Sequence, residues 1–507
     1  MTADSATRER ATAPAIRHGG RVLLVAGALG IGGQVLFYDV GIGINLPIAL
    51  ALLLAGAWLL RRRTVEPMRR DLWLAPAAIV FAAMAAIRAD PTIVMLDALT
   101  ALGLTGAAIA SFGGRAVVAR PFGRLVELGF GVAGWVAAGA VNAWRSRLRR
   151  AVNLRRAGPA LPYLRGLLIA APIVLVFVAL FSSADAVFAR ILDDAFEVDL
   201  ELGEMPGRLG MAAVLAWLAA GGLALAASTP PAKHTAGVPS WRLGRPEALT
   251  VLLAVDALFF AFVLLQGAYL FGGLDTLGAT GLTYAEYARR GFFELVAVVA
   301  LAGGLIVAVE RITRDRSREL IGAAIGLAVL TGVVLMSAAL RLRLYQEAYG
   351  WTELRLYVVA TIVLLAVGLL CLVVALAADR VRWIGHALIA AGLVIGLALS
   401  VIGPVRFITE QNVARALDPS LVQEHGHAEL DHAYAVSLGD DAVPALLNAL
   451  PRLDEPDAAR LRDSLGWRLD ELRRDPTQRA WQAWNLGRET ARTALEAADD
   501  RGLLDDR

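Results

Sequence analysis

LPIALALLLAGAWLLRRR, residues 46–63, decides the fold: an apolar run that closes on Trp58, Leu59 and Leu60 and is stopped by Arg61, Arg62 and Arg63. A bilayer core of roughly 30 Å asks for about 20 apolar residues per helix. Runs of this kind recur at 22–37, 72–87, 92–112, 167–181, 209–227, 249–271, 292–309, 320–340, 356–377 and 384–402. With 46–60 they make about eleven expected spans. Over the 507 residues, 57% are hydrophobic and 19% charged, with a mean hydropathy of +0.59, which is more apolar surface than one soluble core could hide. The expectation is an all-α polytopic transmembrane helix bundle with a small helical domain at the C-terminal end.

Arginine distribution sets the expected orientation, because basic short loops resist translocation. Arg8, Arg10, Arg17 and Arg21 precede the first run, and Arg61 to Arg63 with Arg69 and Arg70 separate the second and third. The connection between the first two runs carries no basic residue. The N-terminus is therefore expected in the cytoplasm and the C-terminal domain outside, in a multi-pass plasma-membrane protein. A cleavable signal peptide competes for 22–37, but the run is broken by glycines and lacks a small-x-small exit before Tyr38 and Asp39. Residues 125–144 are apolar enough to resemble a further span, yet Arg115, Arg120 and Arg124 lie on one side and Arg145, Arg147, Arg149 and Arg150 on the other. Both flanks favour the cytoplasm. A basic amphipathic segment lying on anionic lipid of the inner leaflet fits this pattern, and a buried re-entrant helix is the alternative. The expected organisation is a tail at 1–21, four spans within 22–112, the inner-leaflet segment 113–165, seven spans within 166–403 and an extracytoplasmic helical domain at 404–507.

In that last region the apolar residues fall at helical spacing: Leu461, Leu465, Leu469 and Leu472 in one stretch, Trp481, Trp484, Ala491 and Leu495 in another. Asp475 before Pro476 and Asp418 before Pro419 read as helix starts, and Asp440 or Asp441 as a cap for 442–450.

Several polar groups stand out against this background. Asp256 falls near the middle of the seventh span, where an ionised carboxylate costs roughly 2.5 to 3.5 kcal/mol. Asp97 is shallower, and Gln34 and Gln266 cost less. TYAEYARRGFFE, residues 283–294, sets Glu286, Arg290 and Glu294 at i, i+4 and i+8 on one helical face, with Tyr284, Tyr287 and Arg289 beside them. A second cluster, Arg341, Arg343, Tyr345, Glu347, Tyr349, Glu353 and Arg355, joins the ninth and tenth spans on the same expected outer side. Arginine outside runs against the positive-inside bias, so these residues are expected to have partners. One reading is a salt-bridge network locking helix ends. The other is an outward pocket whose arginines take a phosphate or carboxylate and whose tyrosines take an apolar or sugar-like face. Glu424, His425, His427, Asp431 and His432 form a weak metal candidate, lacking the helical i, i+4 histidine pair and a fixed fourth ligand. No resident metal or cofactor is expected.

Gly27, Gly30, Gly32 and Gly33 resemble a nucleotide loop by letter but sit inside a span, where they allow close helix packing. No phosphate loop with its lysine, no His-Glu-x-x-His, no Gly-x-Ser-x-Gly and no kinase signature occurs. The basic residues follow membrane topology, which excludes a nucleic-acid module. Lys233 is the only lysine among 49 basic residues, a composition that fits GC-rich coding. Cys371 is the single cysteine, so neither an intramolecular disulfide nor a cysteine metal site can form.

Several segments carry a family resemblance: LPYLRGLLIAAPIVLVFVALFSSADAVFARIL (161–192), ALFFAFVLLQGAYLFGG (257–273), TYAEYARRGFFELVAV (283–298), RLRLYQEAYGWTELRLY (341–357), NVARA (412–416) and LDHAYAVSLGDDAVPAL (430–446). Together they resemble bacterial polytopic membrane proteins grouped as a domain of unknown function of the 4173 type, related to the 4153 type. The resemblance implies architecture and brings no catalytic residue. The expected function is that of a sensor or transport component binding an envelope ligand or partner protein on its outer face. The alternatives are an outer-leaflet enzyme, with Glu286 or Glu294 as base and Arg290, Arg341 or Arg343 binding phosphate of a lipid-linked or cell-wall substrate, and a structural scaffold.

Overall fold

The computed structural model describes residues 19–61, 69–120, 204–228, 243–271, 292–313, 317–418 and 430–504, with scattered positions between 127 and 136 and at 420 and 422. Sixteen α-helices lie within them. The first ten are α1 (Gly19–Phe37), α2 (Asn45–Leu60), α3 (Leu74–Ile87), α4 (Pro91–Phe112), α5 (Met205–Ala227), α6 (Arg245–Phe271), α7 (Phe292–Ile312), α8 (Arg318–Tyr349), α9 (Glu353–Ala377) and α10 (Ile384–Ile402). There follow α11 (Pro404–Leu417), α12 (His432–Ser437), α13 (Val443–Ala449), α14 (Glu455–Arg474), α15 (Pro476–Arg479) and α16 (Leu486–Asp499). Among the described residues the only β pairing is an isolated parallel bridge between Leu243 and Thr313.

Nine helical stretches among the described residues are long and apolar enough to cross a bilayer, and α2 is apolar but shorter, at 16 residues. Their outward side chains are hydrocarbon: Leu24 is 73% exposed, Leu301 73% and Val394 68%. Water would oppose such surfaces and lipid does not. The chain is a membrane-embedded helical bundle. The expected span at 167–181 and most of the 113–165 segment lie outside the described residues.

Two compact units divide the chain. The first takes residues 1–83, 99–233 and 480–483, and the second 84–98, 234–479 and 484–507. In the first, α1, α2 and α5 pack together. Of Gly27, Gly30, Gly32 and Gly33 in α1, Gly30 and Gly33 face Ala216 and Leu215 of α5, so helix packing accounts for two of these four. The Tyr38 ring, just past the end of α1, receives the Arg208 guanidinium at 4.6 Å. At the other end of the unit the Arg61 guanidinium sits 3.4 Å over Trp58, which meets Phe112 edge-on. There Asp71 accepts from the Ser111 hydroxyl at 3.2 Å and from the backbone N–H groups of Val117 and Val118 at 2.9 and 3.0 Å. Arg115 donates to the Leu225 carbonyl at 3.0 Å and to the Ser228 hydroxyl at 2.9 Å.

In the second unit α8 is the central rod, contacted by α6, α7 and α9, over a core that includes Leu252, Ile306, Leu327 and Leu376. Arg245 and Glu319 pair at 2.9 Å at the end where α6 and α8 begin. Beyond the other end of α8, helices α11 to α16 enclose their own core, in which Leu446, Leu461, Leu465, Leu469 and Leu495 are fully buried. Leu356 of α9 joins that core, and Trp351 and Leu399 pack against it, so these helices rest on the ends of the membrane helices.

Two local expectations need correction. Trp481 and Trp484 are 59% and 42% exposed and precede α16, because the Asp475–Asn485 stretch breaks the periodicity on which they were placed with Ala491 and Leu495. Asp440 and Asp441 do not cap α13 and instead reach distant partners. Asp418 ends α11, and its carboxylate accepts from the Ser420 N–H and hydroxyl, as a helix start requires. Asp475 behaves as expected, accepting from the Thr477 N–H and hydroxyl at 2.8 and 2.6 Å.

Candidate functional site

The site grows from the short corner between α3 and α4, in the second unit. Asp90 precedes Pro91, which opens α4 at no hydrogen-bonding cost. One Asp90 oxygen accepts from the Thr92 and Ile93 N–H groups at 2.8 and 3.3 Å, satisfying two of the donors that a helix start leaves free. Arg88, two residues earlier, donates to the Ser400 carbonyl at 2.5 Å and to the Val401 carbonyl, capping the last turn of α10 with a positive charge. Gly403 follows that turn at φ +76°, a conformation that costs a side-chain-bearing residue, and a methyl there would also meet the Arg88 guanidinium. Asp441 accepts from the Ala89 N–H at 3.0 Å. Asn485 donates to the carbonyls of Ala85 and Arg88 at 3.2 and 2.7 Å while capping α16 through the Arg488 N–H. The corner is thereby held by the end of α10, the turn before α13 and the cap of α16 together.

Beside it opens a cavity of about 750 Å³ lined by Arg88, Arg406, Glu410, Asp418, Asp440, Asp441, Asn448, Arg452 and Thr490, with apolar wall from Val413, Leu417, Pro444 and Leu486. Arg406 and Glu410 pair at 2.8 Å, and Arg452 is exposed. Asp440 is 3% exposed and takes both arms of Arg468 at 2.7 and 2.9 Å. Burial raises the Asp441 carboxyl above the usual carboxylate range. The cavity thus presents carboxylates and guanidiniums to one space, with hydrocarbon behind them.

Behind the corner, Asp90 and Asp97 are 0% and 1% exposed. Asp97 accepts from the Ser400 hydroxyl at 2.7 Å through one oxygen. The second oxygen of each carboxylate, and the Tyr357 hydroxyl, are buried without a hydrogen-bond partner. Burial pushes the Asp90 carboxyl up to about 6, against the pull of its two helix N–H donors.

The residues singled out from sequence divide by location. Arg341, Arg343, Tyr345, Glu347 and Tyr349 stand on the last turns of α8, which runs nine residues past its expected end at 340 because no breaker intervenes before Gly350. There Arg343 pairs with Glu347 at 2.7 Å, and Tyr345 meets Tyr349 edge-on. The Arg355 guanidinium lies 4.1 Å over Tyr345 and donates to the Gly350 carbonyl. Asn412 and Arg415 of α11 close the same corner, Asn412 by bonding both the N–H and carbonyl of Trp351 and Arg415 by bonding the Glu347 carbonyl at 2.9 Å. Tyr284, Glu286, Tyr287, Arg289 and Arg290 lie outside the described residues, and Glu294 and Gln266 fall within α7 and α6. Asp256 lies in α6 opposite Gly326 of α8, with one carboxylate oxygen unpartnered. His425 and His427 are outside the described residues. His432 opens α12, and its neighbour Asp431 is occupied in capping that helix. Among the described residues no group of three metal-ligating side chains occurs. Sequence reasoning did not single out Arg88, Asp90, Arg468 or Asn485. The Asp90–Pro91 pair carries the same signal that located Asp475–Pro476.

The family model described as Domain of unknown function (DUF4153) matches residues 75–449, from α3 through α13. The resemblance pointed to the 4173 type, and the type that matches is the related one. No curated protein and no solved structure matches the chain. Residues 75–449 are well over half of the 507, and with the apolar helices they make this chain a membrane-embedded member of the DUF4153 family.

Proposed function

We propose that the protein is a sensor or transport component of the bacterial plasma membrane that binds an envelope ligand in the cavity beside the α3–α4 corner. One observation carries the reading. The cavity is walled both by the α11–α16 module and by Arg88, whose guanidinium caps a membrane helix, so a bound ligand bears directly on helix ends. Its exposed arginines suit a phosphate or carboxylate, and Leu417, Pro444 and Leu486 suit an apolar or sugar-like face. In this reading the N-terminus is cytoplasmic, the 404–507 domain lies outside, and the basic 113–165 segment rests on anionic lipid. The Tyr345, Arg355 and Arg415 arrangement supports a bracing role for the second outer cluster.

Cysteine labelling tests the placement. In a Cys371→Ser background, Ala445→Cys and Thr490→Cys in the cavity should react with an impermeant maleimide in intact cells. Arg380→Cys, at the far end of α9, should react only after permeabilisation. The reverse pattern would end the proposal of an outward cavity. For binding, glucose 1-phosphate and glucose are added to the full chain in nanodiscs. A saturable rise in melting midpoint that favours the phosphate and is lost in Arg406→Ala supports the anion-accepting site, and no rise with either probe argues against it.

A further inference from the structure

The wall that α13 gives to the cavity is one continuous helical stretch: the turn Asp440–Ala442 leads into α13, and Leu450–Arg452 continues past it, with Ala442 and Leu450 both in right-handed helical conformation. Along it Asp441, Ala445, Asn448 and Arg452 fall at i, i+4, i+7 and i+11, which is one helical face. All four line the cavity. That wall therefore runs carboxylate, hydrocarbon, amide, guanidinium, and a helical rise of about 1.5 Å per residue puts its two charged residues about 16 Å apart along the axis. The other charged groups of the cavity are already engaged. Arg406 pairs with Glu410, Asp440 holds Arg468, Asp418 accepts from Ser420, and Arg88 gives two nitrogens to the end of α10. Asp441 is held by backbone alone, at the Ala89 N–H, and enters no ion pair among the described residues. Its Oδ1 lies against Gly487, itself a lining residue, where a methyl would collide with it. The Asn448 amide and the Arg452 guanidinium are exposed and have no protein partner among the described residues.

A carboxylate, an amide and a guanidinium in that order match a molecule that presents an ammonium, a peptide group and a carboxylate in the same order. An ammonium only donates and an ionised aspartate only accepts, while an asparagine amide offers a carbonyl acceptor and two donors to a peptide group. A guanidinium takes a carboxylate through two parallel hydrogen bonds. The length agrees as well: two or three extended residues span about 7 to 10 Å, and a hydrogen bond of about 3 Å at each end brings the total to roughly 13 to 16 Å. Between the charged ends, Val413 and Leu417 of α11 and Pro444 offer hydrocarbon to uncharged side chains. We propose that the cavity takes a short peptide of two or three residues with both termini free, its ammonium at Asp441 and its carboxylate at Arg452. This rests on the reading that the cavity binds an envelope ligand through an anionic group, and it names the class of that ligand.

The test is titration calorimetry of the full chain in nanodiscs with trialanine, N-acetyl-trialanine, trialanine amide and glucose 1-phosphate. Trialanine should bind saturably, and blocking either terminus should weaken it about tenfold or more, the loss of one charge-assisted hydrogen-bonded contact. Asp441→Asn keeps an acceptor for the Ala89 N–H, and in it the effect of the acetyl block should fall below about twofold while the effect of the amide block remains. Arg452→Gln, at an exposed side chain without a partner, should show the reverse. Absence of saturable trialanine binding to the unmodified chain would overturn the proposal, and glucose 1-phosphate binding in the same preparation would leave the anion-accepting cavity standing without it. Blocked peptides that bind as tightly as trialanine would equally overturn it, as would variants that lose both effects together or neither. Should Asp441→Asn fail to fold, the Arg452→Gln arm decides alone.

Discussion

Asp71 in the first unit and Asp97 in the second are both carboxylates buried near the ends of membrane helices, 2% and 1% exposed. Their surroundings differ. Asp71 receives a hydroxyl and two backbone N–H groups, which fasten the turn after α4 to the start of α3. Asp97 receives one hydroxyl, and Asp90 beside it keeps a free oxygen as well. Asp440, held by both arms of Arg468, belongs with Asp71. Burial of an acid therefore does not by itself mark a site. A carboxylate whose acceptors are all met is a fastener, and one whose acceptors are left over is a place where something can bind.

The largest expected effect falls on the fasteners. Asp440→Ala removes two of the hydrogen bonds of the Arg468 guanidinium, 19% exposed, leaves it Glu471 alone, and should lower stability by about 3 kcal/mol, read by denaturant unfolding of the full chain in detergent. Asp71→Asn replaces one acceptor oxygen by an amide N–H that faces existing donors, and should cost about 2 to 3 kcal/mol by the same measurement. A loss below about 0.5 kcal/mol in either variant would break the distinction, since it would mean that met and unmet acids are energetically alike.

How far the sequence revealed all this depended on the range of the signal. Apolar runs declare spans one at a time, and ten of the eleven expected runs fall on helices, the remaining one lying outside the described residues. Leu461, Leu465, Leu469 and Leu472 follow one uninterrupted helix and are buried as their spacing requires. Trp481 and Trp484 fall outside that pattern because the periodicity does not carry across the end of α15 and the turn after it. The end of α8 was drawn where apolar residues stop, although Arg343, Glu347, Tyr345 and Tyr349 continue the helix through i, i+4 pairs. Asp97 was legible as a charge in a span. The partners of the corner were not: Asp441 finds Ala89, and Asn485 finds Ala85, across hundreds of positions that no local pattern spans.

The unmet acid should respond in the opposite sense. Asp97→Asn keeps an oxygen to accept the Ser400 hydroxyl and removes a buried charge, so it should change stability by no more than about 0.5 kcal/mol. A loss as large as that of Asp71→Asn would place Asp97 among the fasteners.

The smallest effect sets the baseline for all of these. Arg343 is 74% exposed and pairs with Glu347 one helical turn away. Exposed i, i+4 pairs contribute about 0.3 to 0.5 kcal/mol and lose part of that to salt. Arg343→Ala should therefore shift unfolding by no more than that amount, and less as ionic strength rises. A larger, salt-insensitive loss would show that the end of α8 behaves like the Asp440 and Arg468 pair, with its charge doing structural duty despite its exposure. The contrast between met and unmet buried acids would then have to extend to the surface, where solvent ordinarily satisfies both.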